Sequence, residues 1–240
     1  MRYSILAAAL ALGAAGCSDE PAPADDLRSG TDPAEEDASS PAAQGADAGT
    51  LPPLAPRNAC RDIPGAEEFR VALAAAVKAR DADALIGLAG PNIKLDFGGG
   101  AGTAELRRRL TDNEYNLWEE LAAVLALGCG PNQAGGITLP WYFTQETPGI
   151  DQMMGMIVTG TDVPMLSAPE EGAEMVRLLS WDAVELVGGL QPGATYQNVR
   201  LQDDTAGFVA TDKLRSLVDY RLLASARDGK WRITVFIAGD

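Results

Sequence analysis

The stretch YRLLASARDGKWRITVFI at residues 220–237 carries the clearest fold signal in the sequence. Two runs rich in aliphatic, aromatic and β-branched residues flank Asp228-Gly229, a dipeptide typical of a two-residue type I′ turn. This pattern predicts an antiparallel hairpin. We expect the hairpin to form a sheet with residues 93–97, where apolar and polar side chains alternate as in a half-buried strand.

Helical patterns precede this hairpin. Phe69, Leu73 and Val77 recur at helical spacing and predict a helix over residues 67–80. The same reasoning predicts three further helices: residues 82–88, a helix capped by Thr103, and residues 113–127. Together with the hairpin, these helices predict an α+β domain formed by residues 59–150 and 217–240.

Two local features of the helical region concern phosphate binding and charge. The run Gly98-Gly99-Gly100-Ala101-Gly102 follows a strand and precedes a helix, as a phosphate loop does, but no Lys-Ser or Lys-Thr comes after it. We predict a tight turn in which the backbone packs closely. The triplet Arg107-Arg108-Arg109 is expected to form the solvated face of a short helix.

The composition argues against several classes of function. A net charge of −15 does not suit a protein that neutralises nucleic-acid phosphates. The absence of histidine removes the commonest general base and the preferred transition-metal ligand. No Ser-x-x-Lys or Gly-x-Ser-x-Gly pattern supplies a nucleophile. We therefore expect no metal, no cofactor and no nucleic-acid partner, while chemistry that uses carboxylates alone stays possible.

The part of the chain after about residue 136 has short apolar stretches separated by turn residues, which predicts a small β-barrel or meander. Within it, residues 158–216 resemble a bacterial SH3 (SH3b) domain. The resemblance rests on a first strand that ends in Val163-Pro164-Met165-Leu166-Ser167-Ala168-Pro169, followed by the apolar runs Val176 to Trp181 and Val184-Glu185-Leu186. Its hallmark is the closing set Val199-Arg200-Leu201 with the Asp-Asp turn, Gly207-Phe208-Val209, and Leu214-Arg215-Ser216. It implies an SH3-like barrel over residues 151–216 that binds cell-wall peptides or proteins and is not catalytic.

The outer domain also resembles a known class of folds. Its helix-helix-strand opening and its closing hairpin are similar to the cystatin-like α+β folds. The barrel would then be nested inside the outer domain, which makes the whole fold class α+β. Because SH3-like barrels usually hold ligands in aromatic grooves, we take five residues as ligand-binding candidates, although each can instead be a core residue: Trp181, Tyr196, Phe208, Trp141 and Tyr142. Tyr196, in the polar segment 193–198, is expected to be the best exposed.

The N-terminal segment resembles the signal of a bacterial lipoprotein. A positive Met1-Arg2 and an apolar run over residues 5–12 precede Ala14-Ala15-Gly16-Cys17, which is similar to a lipobox. The resemblance implies removal of the signal peptide and acylation of Cys17 with chains such as palmitate. Ser18 after the cysteine implies the outer membrane, facing the periplasm. The alternative is an ordinary cleaved signal peptide.

Residues 18–58 are rich in Pro, Ala and acidic residues and contain no aromatic residue. Such a segment cannot bury enough apolar surface to fold, so we predict a disordered acidic linker. A flexible chain of this length reaches roughly 35 Å on average. The linker would therefore hold a folded head clear of the membrane to which the lipid anchor attaches it.

The two remaining cysteines, Cys60 and Cys129, form an even count in an oxidising compartment. We predict a disulfide between them, and the alternative is two buried free thiols.

These features together suggest an envelope lipoprotein whose SH3-like domain binds peptidoglycan peptide or a periplasmic protein. One alternative is a cell-wall hydrolase that uses the carboxylate pairs Glu119-Glu120, Asp182 with Glu185, or Asp203-Asp204. Another is binding of a small ligand by the outer α+β domain.

Overall fold

The computed structural model describes residues 51–239, so the predicted signal peptide (1–17), the lipidation site Cys17 and most of the predicted linker (18–58) lie outside the described residues. The end of that linker is described. Residues 51–58 pack against the folded part of the chain, where Leu54 and Ala55 are buried. The predicted boundary at residue 58 is therefore too late, because these two residues supply apolar surface to the fold.

The four predicted helices are present, with α4 beginning later than expected. Their bounds are α1 Ala66–Ala79, α2 Ala82–Leu88, α3 Thr103–Thr111 and α4 Leu117–Ala126. Asp81 caps α2, since its side chain accepts a hydrogen bond from the Ala84 N–H at 3.0 Å. The apolar residues that predicted α1 are those that it buries.

A five-stranded sheet packs against these helices. Its strands are β1 Ala89–Lys94, β2 Gly130–Pro131, β3 Ile137–Leu139, β11 Arg221–Arg227 and β12 Lys230–Ile237, in the order β1-β12-β11-β3-β2. The predicted hairpin is confirmed, with Arg227 opposite Lys230 across its turn, and β1 joins β12 in parallel. One face of the sheet forms the main core with the helices, through residues such as Leu73, Leu121 and Phe236.

A second, seven-stranded sheet follows β3 in the chain. Its strands are β4 Gly155–Val158, β5 Val163–Leu166, β6 Met175–Leu179, β7 Ala183–Leu186, β8 Tyr196–Arg200, β9 Ala206–Ala210 and β10 Leu214–Ser216, in the order β10-β4-β7-β8-β9-β5-β6. Both end strands, β10 and β6, have one neighbour each. The predicted closed barrel is therefore wrong for the described residues, because β6 pairs with β5 alone and does not meet β10.

The fold is thus mixed α+β, with four helices and two sheets in residues 51–239. The strands of the larger sheet all come from between β3 and β11. A small apolar cluster that includes Leu54, Tyr142, Ile157 and Leu217 lies where the segments that flank the larger sheet meet it. Because both sheets belong to one compact unit, the division at residues 151–216 stays a prediction.

The predicted disulfide is confirmed: Cys60 and Cys129 are bonded, with their Cα atoms 5.7 Å apart, and both are fully buried. Backbone hydrogen bonds of 2.9 Å run on either side of it, from the Cys129 N–H to Arg57 O and from the Ala59 N–H to Cys129 O. Gly128 has a φ of +83°, and a side chain there would overlap the Arg57 backbone. The bond therefore fastens the segment that precedes α1 to the segment that follows α4.

The glycine run forms the predicted tight turn around a buried charge. The Gly100 N–H donates to Asp96 Oδ1 at 2.7 Å, and a side chain at Gly100 would overlap both Asp96 and the Arg109 guanidinium. Arg109 is only 7% exposed and contacts the carboxylates of Asp96 and Glu105. The prediction of a solvated face is therefore wrong for Arg109, because α3 turns this residue towards the sheet.

Candidate functional site

Trp181 occupies an unusual backbone position between β6 and β7. Its φ is +57°, in the left-handed region that bulky residues rarely adopt. Two hydrogen bonds hold this turn: the Trp181 N–H donates to Gly160 O at 3.0 Å, and the Ser180 N–H donates to the Asp182 carboxylate at 2.6 Å. The half-buried indole packs against the apolar cluster around Leu54. The turn thus presents a large aromatic ring at the protein surface.

Beside this ring is a cavity of about 350 Å³, which we name the junction cleft. Its lining residues come from four separate segments: Pro53 and Leu54, Glu146 to Pro148, Arg177 with Trp181 to Ala183, and Leu201 to Asp203. Clefts of this size that combine apolar walls with a few polar groups are typical ligand sites.

Charged groups of both signs line the junction cleft. Arg177 Nη1 and Asp203 Oδ2 are 2.9 Å apart, and both side chains are about half exposed. Hydrogen bonds from Thr205, followed by the Arg177 guanidinium, lower the pKa of Asp203 to about 2. Gln202 links two lining segments by donating from Nε2 to Pro148 O at 2.6 Å. The cleft therefore has one cation, Arg177, and three carboxylates, those of Glu146, Asp182 and Asp203, beside an aromatic surface.

Three of the five aromatic candidates lie around this cleft. Trp181 lines it. Tyr142 belongs to the buried cluster on which Trp181 packs, and burial raises the pKa of Tyr142 to about 12. Trp141 supports a wall, since its indole N–H donates to Pro53 O at 3.4 Å and the Arg57 guanidinium lies 5.0 Å from its ring centre.

The other two candidates lie elsewhere. Tyr196 begins β8 opposite Ala210, and Phe208 on β9 is opposite Asn198. Both are half-buried, and neither lines the junction cleft. The structure therefore does not bring all five aromatic residues into one groove. Tyr196, like Trp181, is half-buried and does not stand out as an exposed residue.

Edge strand β6 borders the cleft through Arg177 and exposes an unusual amount of apolar surface. Met175 is 55% exposed, Val176 42% and Leu178 49%. An edge strand also has unpaired backbone N–H and C=O groups along its free side. Such an edge can accept an extended peptide as an additional strand. The apolar run in β6 predicted a strand from the sequence but gave no sign that its side chains would be exposed.

A partly buried ion-pair network lies behind the apolar cluster. Arg215 contacts Glu120 and Asp219, each at 3.3 Å. Burial, and next the nearby Asp219 carboxylate, raise the pKa of Glu120 above its ordinary value. The neighbouring Glu119 instead pairs with Arg80 at the surface. The two glutamates that looked like a catalytic pair in the sequence therefore serve different partners.

The raised pKa of Glu120 predicts a specific pH dependence. Because the protonated carboxyl of Glu120 is favoured in the folded state, it contributes to the free energy of unfolding below the ordinary pKa of 4.5. This contribution is lost as the pH rises through the higher pKa of the folded state. We expect wild-type protein to lose stability relative to Glu120→Gln between pH 4.5 and pH 7. Urea denaturation at a series of pH values measures this, with Glu119→Gln as the matched control. A constant difference between wild type and Glu120→Gln would contradict the expectation.

Within the described part of the chain, no group of three or more acidic or cysteine side chains is arranged to hold a metal ion. No helix among residues 51–239 is both long enough and apolar enough to cross a membrane. Comparison with protein-family models, with curated proteins and with solved structures gave no match.

Proposed function

We propose that this chain is a non-enzymatic lipoprotein of a bacterial cell envelope that binds a peptide in the junction cleft. The observation that carries the proposal is the Trp181 ring, held half exposed by a left-handed turn beside the Arg177–Asp203 ion pair. In this proposal Cys17 carries the lipid anchor at the outer membrane, and the linker allows the cleft to reach a partner in the periplasm.

The chemistry of the cleft suits a short peptide. An indole ring offers a flat apolar surface for an aliphatic side chain or backbone. Arg177 can bind a carboxylate of the ligand, and Asp203, which is ionised because of its low pKa, can bind an ammonium group. Arg177 belongs to β6, and the free edge of this strand adds unpaired backbone N–H and C=O groups.

The ligand that we propose is a peptidoglycan peptide, with an extended segment of a periplasmic protein as the second choice. Peptides of the cell wall carry free carboxylate and amino groups on a short chain, which can pair with Arg177 and with the carboxylates of the cleft. The resemblance of residues 158–216 to bacterial SH3 domains supports the same ligand class. We propose accordingly that the seven-stranded sheet is an open variant of that fold, carried by a cystatin-like outer domain.

Retention on purified peptidoglycan sacculi tests this function. We expect the full-length chain to bind at low salt and Arg177→Gln to bind about tenfold more weakly, equivalent to about 1.4 kcal/mol. Arg200→Gln is the matched control, because Arg200 is equally exposed on the same sheet and holds Glu185 at 3.4 Å outside the cleft. Equal loss in both variants would reject the cleft as the site. Failure of wild-type protein to bind would reject the cell-wall ligand and leave the protein partner.

The raised pKa of Glu120 favours one alternative, a carboxylate-dependent wall hydrolase, because a general acid needs such a shift. Arg215 lies between Glu120 and Asp219, however, and contacts both. A peptidoglycan zymogram separates the two proposals: cleared bands that disappear in Glu120→Gln would establish the hydrolase and overturn the non-enzymatic function.

A further inference from the structure

The face of the five-stranded sheet that points away from the helices carries a cluster of polar and positive groups. In the β11–β12 hairpin, Ala226 is opposite Trp231. Trp231 lies on the helical side, with its ring centre 6.0 Å from that of Phe69. Because successive residues of a strand point to opposite faces, the adjoining cross-strand pairs lie on the other side. We name these residues the hairpin cluster: Ser225, Arg227, Lys230 and Arg232.

The three cations of the hairpin cluster form no ion pair with any carboxylate of residues 51–239. Arg227 and Lys230 are directly opposite each other, an arrangement of like charges that destabilises a sheet. A shortage of acids is not the reason, since the chain has 34 acidic and 19 basic residues. On the other sheet, Arg177 and Arg200 each hold a carboxylate. The hairpin cluster therefore has positive charge that a bound anion would neutralise.

Two groups of the cluster are arranged to donate hydrogen bonds. One η nitrogen of Arg232 donates to Gly87 O near the end of α2, which holds the guanidinium in place, and its other N–H groups have no protein acceptor among the described residues. The Ser225 hydroxyl, opposite Arg232, also makes no hydrogen bond within residues 51–239. A hydroxyl and a guanidinium side by side are suitable donors for the oxygens of a phosphate or a carboxylate.

Two cavities meet at Ser225, and Arg232 lines one of them. One, of about 310 Å³, extends towards Gly90 to Ile93 on β1. The other, of about 300 Å³, extends towards the turn between β2 and β3. They share Ser225, Arg227 and Thr234. The space on either side of the shared residues is large enough for a small molecule. Three cations in so acidic a chain do not make a nucleic-acid surface.

We propose that the hairpin cluster binds a small organic molecule through an oxyanion group, a phosphate or a carboxylate. The oxyanion lies between Ser225, Arg227 and Arg232, and the rest of the molecule occupies one or both adjoining cavities. Lys230 adds positive potential from the opposite strand. This site is independent of the junction cleft, because the two share no lining residue.

A titration of the full-length chain followed by NMR tests the proposal, with inorganic phosphate and citrate as probes and chloride at matched ionic strength as reference. We expect phosphate or citrate to shift the backbone amide signals of Ser225, Arg227 and Thr234 in a saturable way that chloride does not reproduce. Saturation by phosphate alone assigns a phosphate ligand, and saturation by citrate alone assigns a carboxylate ligand. Shifts that are absent, or that chloride reproduces, overturn the proposal.

Arg227→Gln provides the mutational test. It removes one of two opposed cations on exposed strand positions, so the fold is retained, and it should weaken binding of the oxyanion about tenfold, or about 1.4 kcal/mol. Lys78→Gln on α1 is the matched control, since it makes the same change in net charge at an exposed position away from the cavities. An equal loss in the control overturns the proposal by showing that only the overall charge matters. Retention on sacculi should be the same in both variants.

Discussion

Replacement of both Cys60 and Cys129 by alanine is expected to lower the free energy of unfolding by about 4 kcal/mol, the chain-entropy value for a loop of this size. The two cysteines are 69 residues apart in sequence, and both are fully buried. Alanine suits this buried site because it adds no polar group. Urea denaturation of the two proteins measures the difference. Reductant should destabilise the wild type by a similar amount and leave the double variant unchanged.

The loss of this disulfide should also reach the junction cleft. The Cys129 N–H donates to Arg57 O, and Gly128 lies close against the Arg57 backbone. The segment just before Arg57 supplies Pro53 and Leu54 to the cleft wall. We therefore expect the double variant to be retained less well on sacculi even where it is fully folded. Undiminished stability would contradict the first expectation, and undiminished retention would contradict the second.

Substitution of Arg109 by methionine is expected to destabilise the protein by about 3 kcal/mol, the lower end of the range for breaking a buried ion pair. The lower end applies because Asp96 and Glu105 keep partial contact with solvent, with side chains 37% and 26% exposed. Methionine fills the same space but leaves both carboxylates and Leu95 O without the guanidinium, which donates to that carbonyl at 3.1 Å.

Arg107→Met is the matched control for this change. Arg107 is on the same helix and pairs with Asp83, but both side chains are largely exposed. Exposed ion pairs of this kind contribute about 0–1 kcal/mol. Urea denaturation should therefore separate the two variants clearly. Similar unfolding midpoints for both would show that the buried pair of Arg109 contributes no more than a surface pair.

The parts of the fold that the sequence predicted correctly depend on local signals. The hairpin follows from a turn dipeptide between two β-rich runs, and α1 follows from apolar residues at helical spacing. The burial of Arg109 could not be predicted in this way. Its position at the end of an arginine triplet predicts a side chain exposed to solvent. Its partner Asp96 follows the preceding strand and is brought close to Arg109 by the glycine turn.

The candidate site was predictable only in its aromatic component. Trp181 was selected because aromatic residues commonly contact ligands, and it does line the cleft. Arg177 and Asp203 were missed as a pair because 26 residues separate them and strand pairing alone brings them together. The open sheet was missed for a related reason: the short apolar runs fit a closed barrel equally well, and only the long-range pairing of β6 and β10 distinguishes the two.

The position of the larger sheet in the chain has an evolutionary consequence. Strands β3 and β11 are hydrogen-bonded neighbours, with Leu139 opposite Leu222, although the whole larger sheet lies between them in sequence. The inserted chain also begins and ends on paired strands, since Met156 is opposite Ser216. An ancestor with a short turn at this point would have a complete host sheet. Recombination could therefore exchange the inserted sheet while the host sheet stays complete.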